Sequence, residues 1–344
     1  MFIIYTLLIL LTIIFSPAVI ESAKVSIELF IYNIAPSLFP FFVLTNLLST
    51  KGKSALISGF LCGYPAGAIA CGSLLSKNRI TKSQAEFYSS FINNAGPAFI
   101  IGTIGVVMCN SFFIGVFLLI SHLLASFTIM LIFSSLNPSY KVCKTQSSST
   151  YTPNSVIPIG EQLTNSITSA VKQIAVVGGY IVFFSVIISI ICAAGFSNTY
   201  LFGFLEVTTG ISYIIGQLSP NNFRHELISE LPLISFFLGW SGLSIHAQII
   251  AILNKNKIRA SLFFFGKLIQ AVLSGIYTFL FLKIPQLANY LTDFDLPVFH
   301  PNEHQNFILK KNTLVSPVFL LFETIFILLI LSFFIRRKLI ARSL

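Results

Sequence analysis

The chain has 344 residues, of which 21 are Lys or Arg and 11 are Asp or Glu, giving 9% charged residues and a formal net charge of +10. Soluble domains carry about 25% charged residues; with 55% apolar residues, 36 Phe and a mean hydropathy of +0.87, this chain lacks the polar surface of a soluble enzyme. Disorder and a disulfide-stapled secreted module are excluded on the same grounds.

Unbroken apolar runs of about 20 residues have the length that crosses hydrocarbon as a helix, whereas a β-barrel alternates polarity over segments of about 10. The expected class is all-α: a polytopic membrane protein of about 8–10 membrane helices with interrupted or re-entrant segments and an internal repeat. The basic residues sit in short loops at helix ends, where they hold loops in the cytoplasm and meet anionic headgroups. They form no face suited to nucleic acid. Cys62, Cys71, Cys109, Cys143 and Cys192 are odd in number and form no C-x-x-C pair, so neither a disulfide frame nor a zinc site is expected.

Residues 1–23 read as an N-terminal membrane helix, retained because it lacks the basic flank of a cleaved signal. Residues 24–134 form a first repeat. Its lead-in carries Lys24, Glu28 and Asn33, and Pro36 and Pro40 open an apolar stretch closed by Lys51 and Lys53. The segment 54–76 is interrupted by Gly63-Tyr64-Pro65-Ala66-Gly67, and a basic turn, Lys77 to Lys82, follows. The segment 83–109 is broken by Asn93-Asn94-Ala95-Gly96-Pro97, and 111–134 is a plain spanning helix. Residues 135–165, rich in Ser, Thr, Pro and Asn, form a polar linker. Residues 166–283 form the second repeat: a helix at 168–194, a segment at 199–218 with Glu206 that either spans or dips, a polar stretch, and helices at 231–253 and 261–283 around Asn254–Arg259. An extracytoplasmic loop, 284–316, precedes a C-terminal helix and basic tail, 317–344. Arg336, Arg337 and Lys338 place that tail in the cytoplasm.

Two stretches resemble each other. Gly63-Tyr64-Pro65 leads to Lys77-Asn78-Arg79-Ile80, and Gly239-Trp240-Ser241 leads to Lys255-Asn256-Lys257-Ile258. Upstream, Phe41-Phe42 and Phe183-Phe184 stand at equal distance from Pro36 and Gly178. If every element spans, the two basic turns fall on opposite faces and the repeat is inverted, which is the expectation. Their shared basic character pulls toward one face, and one re-entrant segment would reconcile the two.

A helix broken at membrane depth leaves backbone N–H and C=O groups without partners, which is tolerated only inside the protein or along a wet cavity. Three breaks are therefore the candidate solute site: Gly63, Tyr64, Pro65 and Gly67; Asn93, Asn94, Gly96 and Pro97; and Gly239, Trp240, Ser241 and Gly242, with His246 and Gln248 just beyond. Proline kinks or close packing through small residues would explain any single break. Ionisable residues in apolar runs are further candidates: Glu206 and His246 flank breaks. Lys267 is read as able to snorkel, His122 as a hydrogen-bonded packing residue, and Glu323 as near the interface.

Two enzyme-like patterns fail on chemistry. Gly239-Trp240-Ser241-Gly242 matches the G-x-S-G loop of rhomboid proteases, but the next helix, 261–283, supplies no His base. His300-Pro301-Asn302-Glu303-His304 matches H-x-x-E-H, yet it lies in a loop with Pro at its second position. No nucleotide-binding motif is present. No enzymatic activity, metal or cofactor is expected.

Ala35-Pro36-Ser37-Leu38-Phe39-Pro40-Phe41-Phe42, Gly63 to Ala68, Asn94 to Ile100 and Leu238 to Gln248 together resemble the sporulation integral membrane proteins of the YlbJ type. That family carries the nucleoside-recognition or Gate domain, shared with spore maturation proteins, ferrous-iron transporters and concentrative nucleoside transporters. The resemblance runs from about residue 24 to 283 and implies a transporter-like fold and a role in forming the spore cortex of endospore-forming bacteria. One departure is that the chain is short between Thr50 and Gly59, where the family has a further segment with a Glu. The resulting expectation is a multi-pass cell-membrane protein binding or moving a small polar solute at the broken helices, with homo-oligomers or sporulation membrane proteins as partners. The alternatives are a scaffold that recruits such partners and, less favoured, an intramembrane hydrolase.

Overall fold

The computed structural model describes residues 2–49, 63–136 and 158–293, and every regular element among them is helical. The first described stretch opens with helix α1, Phe2–Ile14. Helix α2, Ser16–Leu29, continues through a wide turn at Phe30–Ile34 into α3, Ala35–Ser49. Then come α4, Ala66–Ser76, and α5, Lys82–Ile92, and a wide-wound helix α6, Ala98–Met108, leads to α7, Phe112–Leu136. The stretch from 158 on holds α8, Ile159–Ala193; α9, Thr199–Leu205; α10, Val207–Gly216; α11, Phe223–Trp240; α12, Gly242–Lys255; and α13, Ser261–Leu282. A short helix α14, Pro285–Asp293, follows.

Five stretches are long and apolar enough to cross a membrane: Ser16–Leu47, Phe112–Leu136, Ile159–Ala193, Pro220–Lys255 and Ser261–Leu282. Shorter apolar helices, α1, α4, α6 and α10, accompany them. Local sequence explains the boundaries. Thr81-Lys82-Ser83-Gln84 is a capping box: the Thr81 hydroxyl accepts from Gln84 N–H, and the Gln84 side chain accepts from Thr81 N–H, at 3.2 and 3.0 Å. Asn198 caps α9 by accepting from the N–H groups of Tyr200 and Leu201. Helix α8 begins at Ile159, inside the stretch read as linker, and 137–157 lies outside the described residues.

The path runs between a basic end and a far end. The α2–α3 span lies antiparallel to α8: Ser22 Oγ donates to Ser185 O at 3.0 Å, and Asn46 Nδ2 donates to Ser166 O at 3.3 Å. Helix α4 starts at Gly63–Pro65 in the centre and runs to the basic end, where Gly72 faces the Asn256 side chain. From that end α5 and α6 lead through the Asn93–Pro97 break to the far end, and α7 returns. Helix α8 goes out again. There α9 and α10 form a hairpin that dips to Glu206 and comes back, its arms touching through Gly203 and Gly210. Helices α11 and α12 run inward through the Ser241–Gly242 break to the basic end, and α13 returns to the far end. Tyr290 of α14 packs there, its ring 5.0 Å from that of Phe113.

Along this path each element of 158–282 runs opposite to its counterpart in 16–136, a pairing that differs from the one drawn from sequence. The two basic turns share one end: Ile80 and Ile258 are buried in one apolar cluster, and Arg259 N–H donates to Glu86 Oε1 at 3.4 Å. Helices α4 and α12 therefore run alike and are not repeat partners. The cause is the α9–α10 hairpin, whose arms of 7 and 10 residues are too short to cross, so counting it as a span reverses the parity. The corresponding elements are the α2–α3 span and α8; α4 with its leading break and the α9–α10 hairpin; α5–α6 and α11–α12; and α7 and α13. In each half a tip rests on the junction of the broken helix. Gly63 lies on Gly96, and the Glu206–Val207 backbone lies on Gly242.

Candidate functional site

The three breaks and the hairpin tip come together inside the bundle. Gly63 has φ +84°, and a Cβ there would stand 2.6 Å from Gly96 N, so only glycine permits this approach. Tyr64 N–H donates to Asn94 O at 2.9 Å, which ties the first break to the second. A Cβ at Gly67 would stand 2.7 Å from Asn93 Oδ1; its absence makes room for that side chain. At the third break Ser241 and Gly242 both have positive φ, +74° and +76°, and together redirect the chain from α11 into α12. The Gly239 Cα lies against Gln270 O and Ala271 of α13.

Helices α4, α6 and α12 begin at these breaks with no side-chain cap on their N-termini. Each such end carries a partial positive charge from its free N–H groups. Glu206 differs. Its carboxylate accepts from Thr208 N–H at 3.1 Å and Thr209 N–H at 2.6 Å, so both oxygens cap α10 at the hairpin tip. Tyr64 is half-buried, and its hydroxyl, enclosed near Ser241, has no hydrogen-bond partner.

Lys267 corrects the expectation of snorkelling. It is 1% exposed, its ammonium donates to Gln270 Oε1 at 3.0 Å, and it stands 5.8 Å from the centre of the Tyr64 ring. Gln270 Nε2 donates to Asn94 Oδ1 at 2.8 Å and lies 3.3 Å from His122 Nε2. His122 Nε2 accepts Ala95 N–H at 3.1 Å, the hydrogen-bonded packing role expected of it, and this ring also closes the second break. Asn94 Nδ2 reaches Phe91 O and Ser126 Oγ, which satisfies a carbonyl at the end of α5. Pro97 is the junction residue before α6, and Pro65 the one before α4.

Trp240 and His246 form the wall toward the hairpin. Their rings lie 4.2 Å apart, Trp240 Nε1 donates to Phe204 O at 3.0 Å, and His246 Nδ1 bonds Gly242 O at 2.8 Å. Along α12, Ser241, Ser244 and Gln248 follow at i, i+3 and i+7 and are all buried. Ser244 Oγ, both Gln248 side-chain polar atoms, His246 Nε2 and Asn93 Oδ1 lack partners. Buried polar groups are nearly always satisfied, so this set marks where a ligand or ordered water would bond. Ser241 Oγ donates to Leu238 O rather than to a histidine, which is not a nucleophile's geometry. Among the described residues no group of three or more His, Cys, Asp or Glu could hold a metal ion.

Lys267, Gln270, His122 and Ser126 complete the set that sequence reading centred on the breaks. Gln270 carried no sequence signal, because it stands mid-helix on α13; the i, i+3 spacing from Lys267 was the one available cue. Cys62, Glu323, His300, Glu303, His304 and the tail Arg336–Lys338 lie outside the described residues.

No family model and no solved structure matches the chain. The chain is similar to the sporulation integral membrane protein YlbJ of Bacillus subtilis strain 168, with 25% identity over 321 aligned residues that cover 76% of this chain and 77% of that protein.

Proposed function

We propose that the chain is a transporter-like membrane protein of endospore formation that binds or moves a small polar solute at the meeting point of its broken helices. The observation that carries the proposal is the meeting of the broken helices around the buried Lys267, which stands over the Tyr64 ring whose hydroxyl has no partner. Buried polar groups without partners are costly and are retained where a ligand completes them. The solute supplies hydrogen-bond acceptors to Lys267 and to the half-helix N-termini, and donors and acceptors to Gln248, Ser244 and the Tyr64 hydroxyl. The inverted repeat supports movement as well as binding, because exchanging the arrangements of the two halves opens a central site to either face. The name of the similar protein supports the sporulation context, in cortex formation as the resemblance implies.

The basic end is cytoplasmic in this account, since Lys77, Arg79, Lys82, Lys255, Lys257 and Arg259 all lie there. Helix α14 is then extracytoplasmic. Substituting Tyr64→Phe tests the site. It removes an unpartnered hydroxyl, so the purified protein is as stable as wild type or more so. Heat-resistant spores in the source organism fall if that hydroxyl meets solute. Normal spore counts at normal protein level remove Tyr64 from the site.

A further inference from the structure

We propose that Gln270 is the positioning residue of the central site, carrying the hydrogen-bond direction of the Asn93–Pro97 break to the Lys267 ammonium. The orientation of its amide follows from its neighbours. Lys267 Nζ can only donate while it is an ammonium, so the atom it meets at 3.0 Å must be the Gln270 oxygen. The nitrogen then faces Asn94 Oδ1 at 2.8 Å, His122 Nε2 at 3.3 Å and His122 O at 3.4 Å, all acceptors. A flipped amide would set donor against donor at one end and acceptor against acceptor at the other.

The direction is fixed further back. Asn94 presents its oxygen to Gln270 because its own nitrogen is held by Phe91 O at 3.0 Å and Ser126 Oγ at 3.2 Å. Phe91 O is one of the carbonyls left open where α5 ends, so the polarity of that helix end runs through Asn94 and Gln270 to Lys267. His122 reinforces it. With Nε2 accepting Ala95 N–H, its ring proton sits on Nδ1, and the Gln270 nitrogen shares the same Nε2 lone pair at 3.3 Å.

Asn94 and Ser126 lie in the stretch 63–136, and Lys267 and Gln270 in the stretch 158–293, so this one amide links the two stretches at the centre of the bundle. If the Asn93–Pro97 break rearranges, Asn94 moves, Gln270 loses its fixed orientation and Lys267 loses its aim. Gln270's importance for solute handling presupposes the site proposed above; its coupling of Asn94 to Lys267 does not.

The test is a mutant cube on the purified full chain in detergent, read by thermal unfolding. Asn94→Ser and Lys267→Met, at residues that share no hydrogen bond, are combined with Gln270 intact and with Gln270→Met. Ser126→Ala replaces Asn94→Ser if that variant fails to fold. With Gln270 present the two effects on melting temperature deviate from additivity by about 2 °C or more, and with Gln270→Met they add. Additivity in both backgrounds overturns the proposal, since a merely space-filling Gln270 gives that result. Equal non-additivity in both also overturns it, because the coupling then travels by another route. Spore counts separate the two proposals: a coupling that survives while Lys267→Met makes normal spores leaves Gln270's role standing and removes the solute site.

Discussion

Gly63→Ala probes whether the first break is built on contact with the second. At φ +84° an alanine sits in the left-handed region, which costs about 1–2 kcal/mol. The new methyl would stand 2.6 Å from Gly96 N and 2.9 Å from Gly96 Cα. Both are backbone atoms that cannot rotate away, so the junction must shift, and overpacking of this kind costs about 1–3 kcal/mol. A total near 3 kcal/mol lowers the melting temperature of a chain this size by roughly 4 °C. The matched control is Gly179→Ala in α8, where a Cβ meets nothing within 4 Å. That substitution gains helix propensity of about 0.5–1 kcal/mol and melts at or above wild type. The assay is thermal unfolding of both purified proteins in one detergent, beside wild type. If Gly63→Ala melts with wild type, or if Gly179→Ala falls as far, the close approach of the two breaks does not hold the site together.

Glu206→Gln keeps one acceptor for the α10 N-terminus while Glu206→Ala keeps none, so the alanine variant loses about 0.5–2 kcal/mol and the glutamine variant less; unfolding of the pair reads this order, and equal losses would discard the capping role. With His246→Phe the ring packing against Trp240 stays but the bond to Gly242 O goes, so stability falls by about 1 kcal/mol. Both Glu206→Gln and His246→Phe are expected to accumulate normally yet make few heat-resistant spores, and normal spores from both would take these residues out of the solute site. Cysteines introduced at Lys77 and Lys257 react with an impermeant reagent only after permeabilisation, whereas one at Asn302 reacts from outside; the reverse pattern would invert the orientation.

The breaks were legible in sequence because glycine and proline interrupt helices locally, and Gly63, Pro65, Gly96, Pro97 and Gly242 do so wherever the rest of the fold lies. The direction of α9 and α10 was not. Their apolar composition matches that of a span, and only the close approach of Gly203 to Gly210 makes them a hairpin. That ambiguity displaced the repeat pairing, since K-N-x-I at 77–80 and 255–258 is similar in chain order but stands at one end of the molecule. Lys267 was misjudged for a related reason. Snorkelling depends on what lies beside the side chain, and its partners Gln270 and Tyr64 are set by tertiary packing. Glu206 was found beside its break, but its use as the α10 cap needed the turn geometry, with φ −144° and ψ 118° at the tip.

Lys267→Met offers the most direct measurement on the solute site. The substitution replaces the buried ammonium with an apolar chain of similar length, and such replacements of buried charge are often tolerated by the fold. The gene carrying it, as the sole copy in the source organism, is scored for heat-resistant spores alongside the amount of protein in the membrane. The account predicts wild-type protein level with spores lost. Wild-type spores at wild-type protein level would contradict it, because a solute site centred on Lys267 cannot work without its charge.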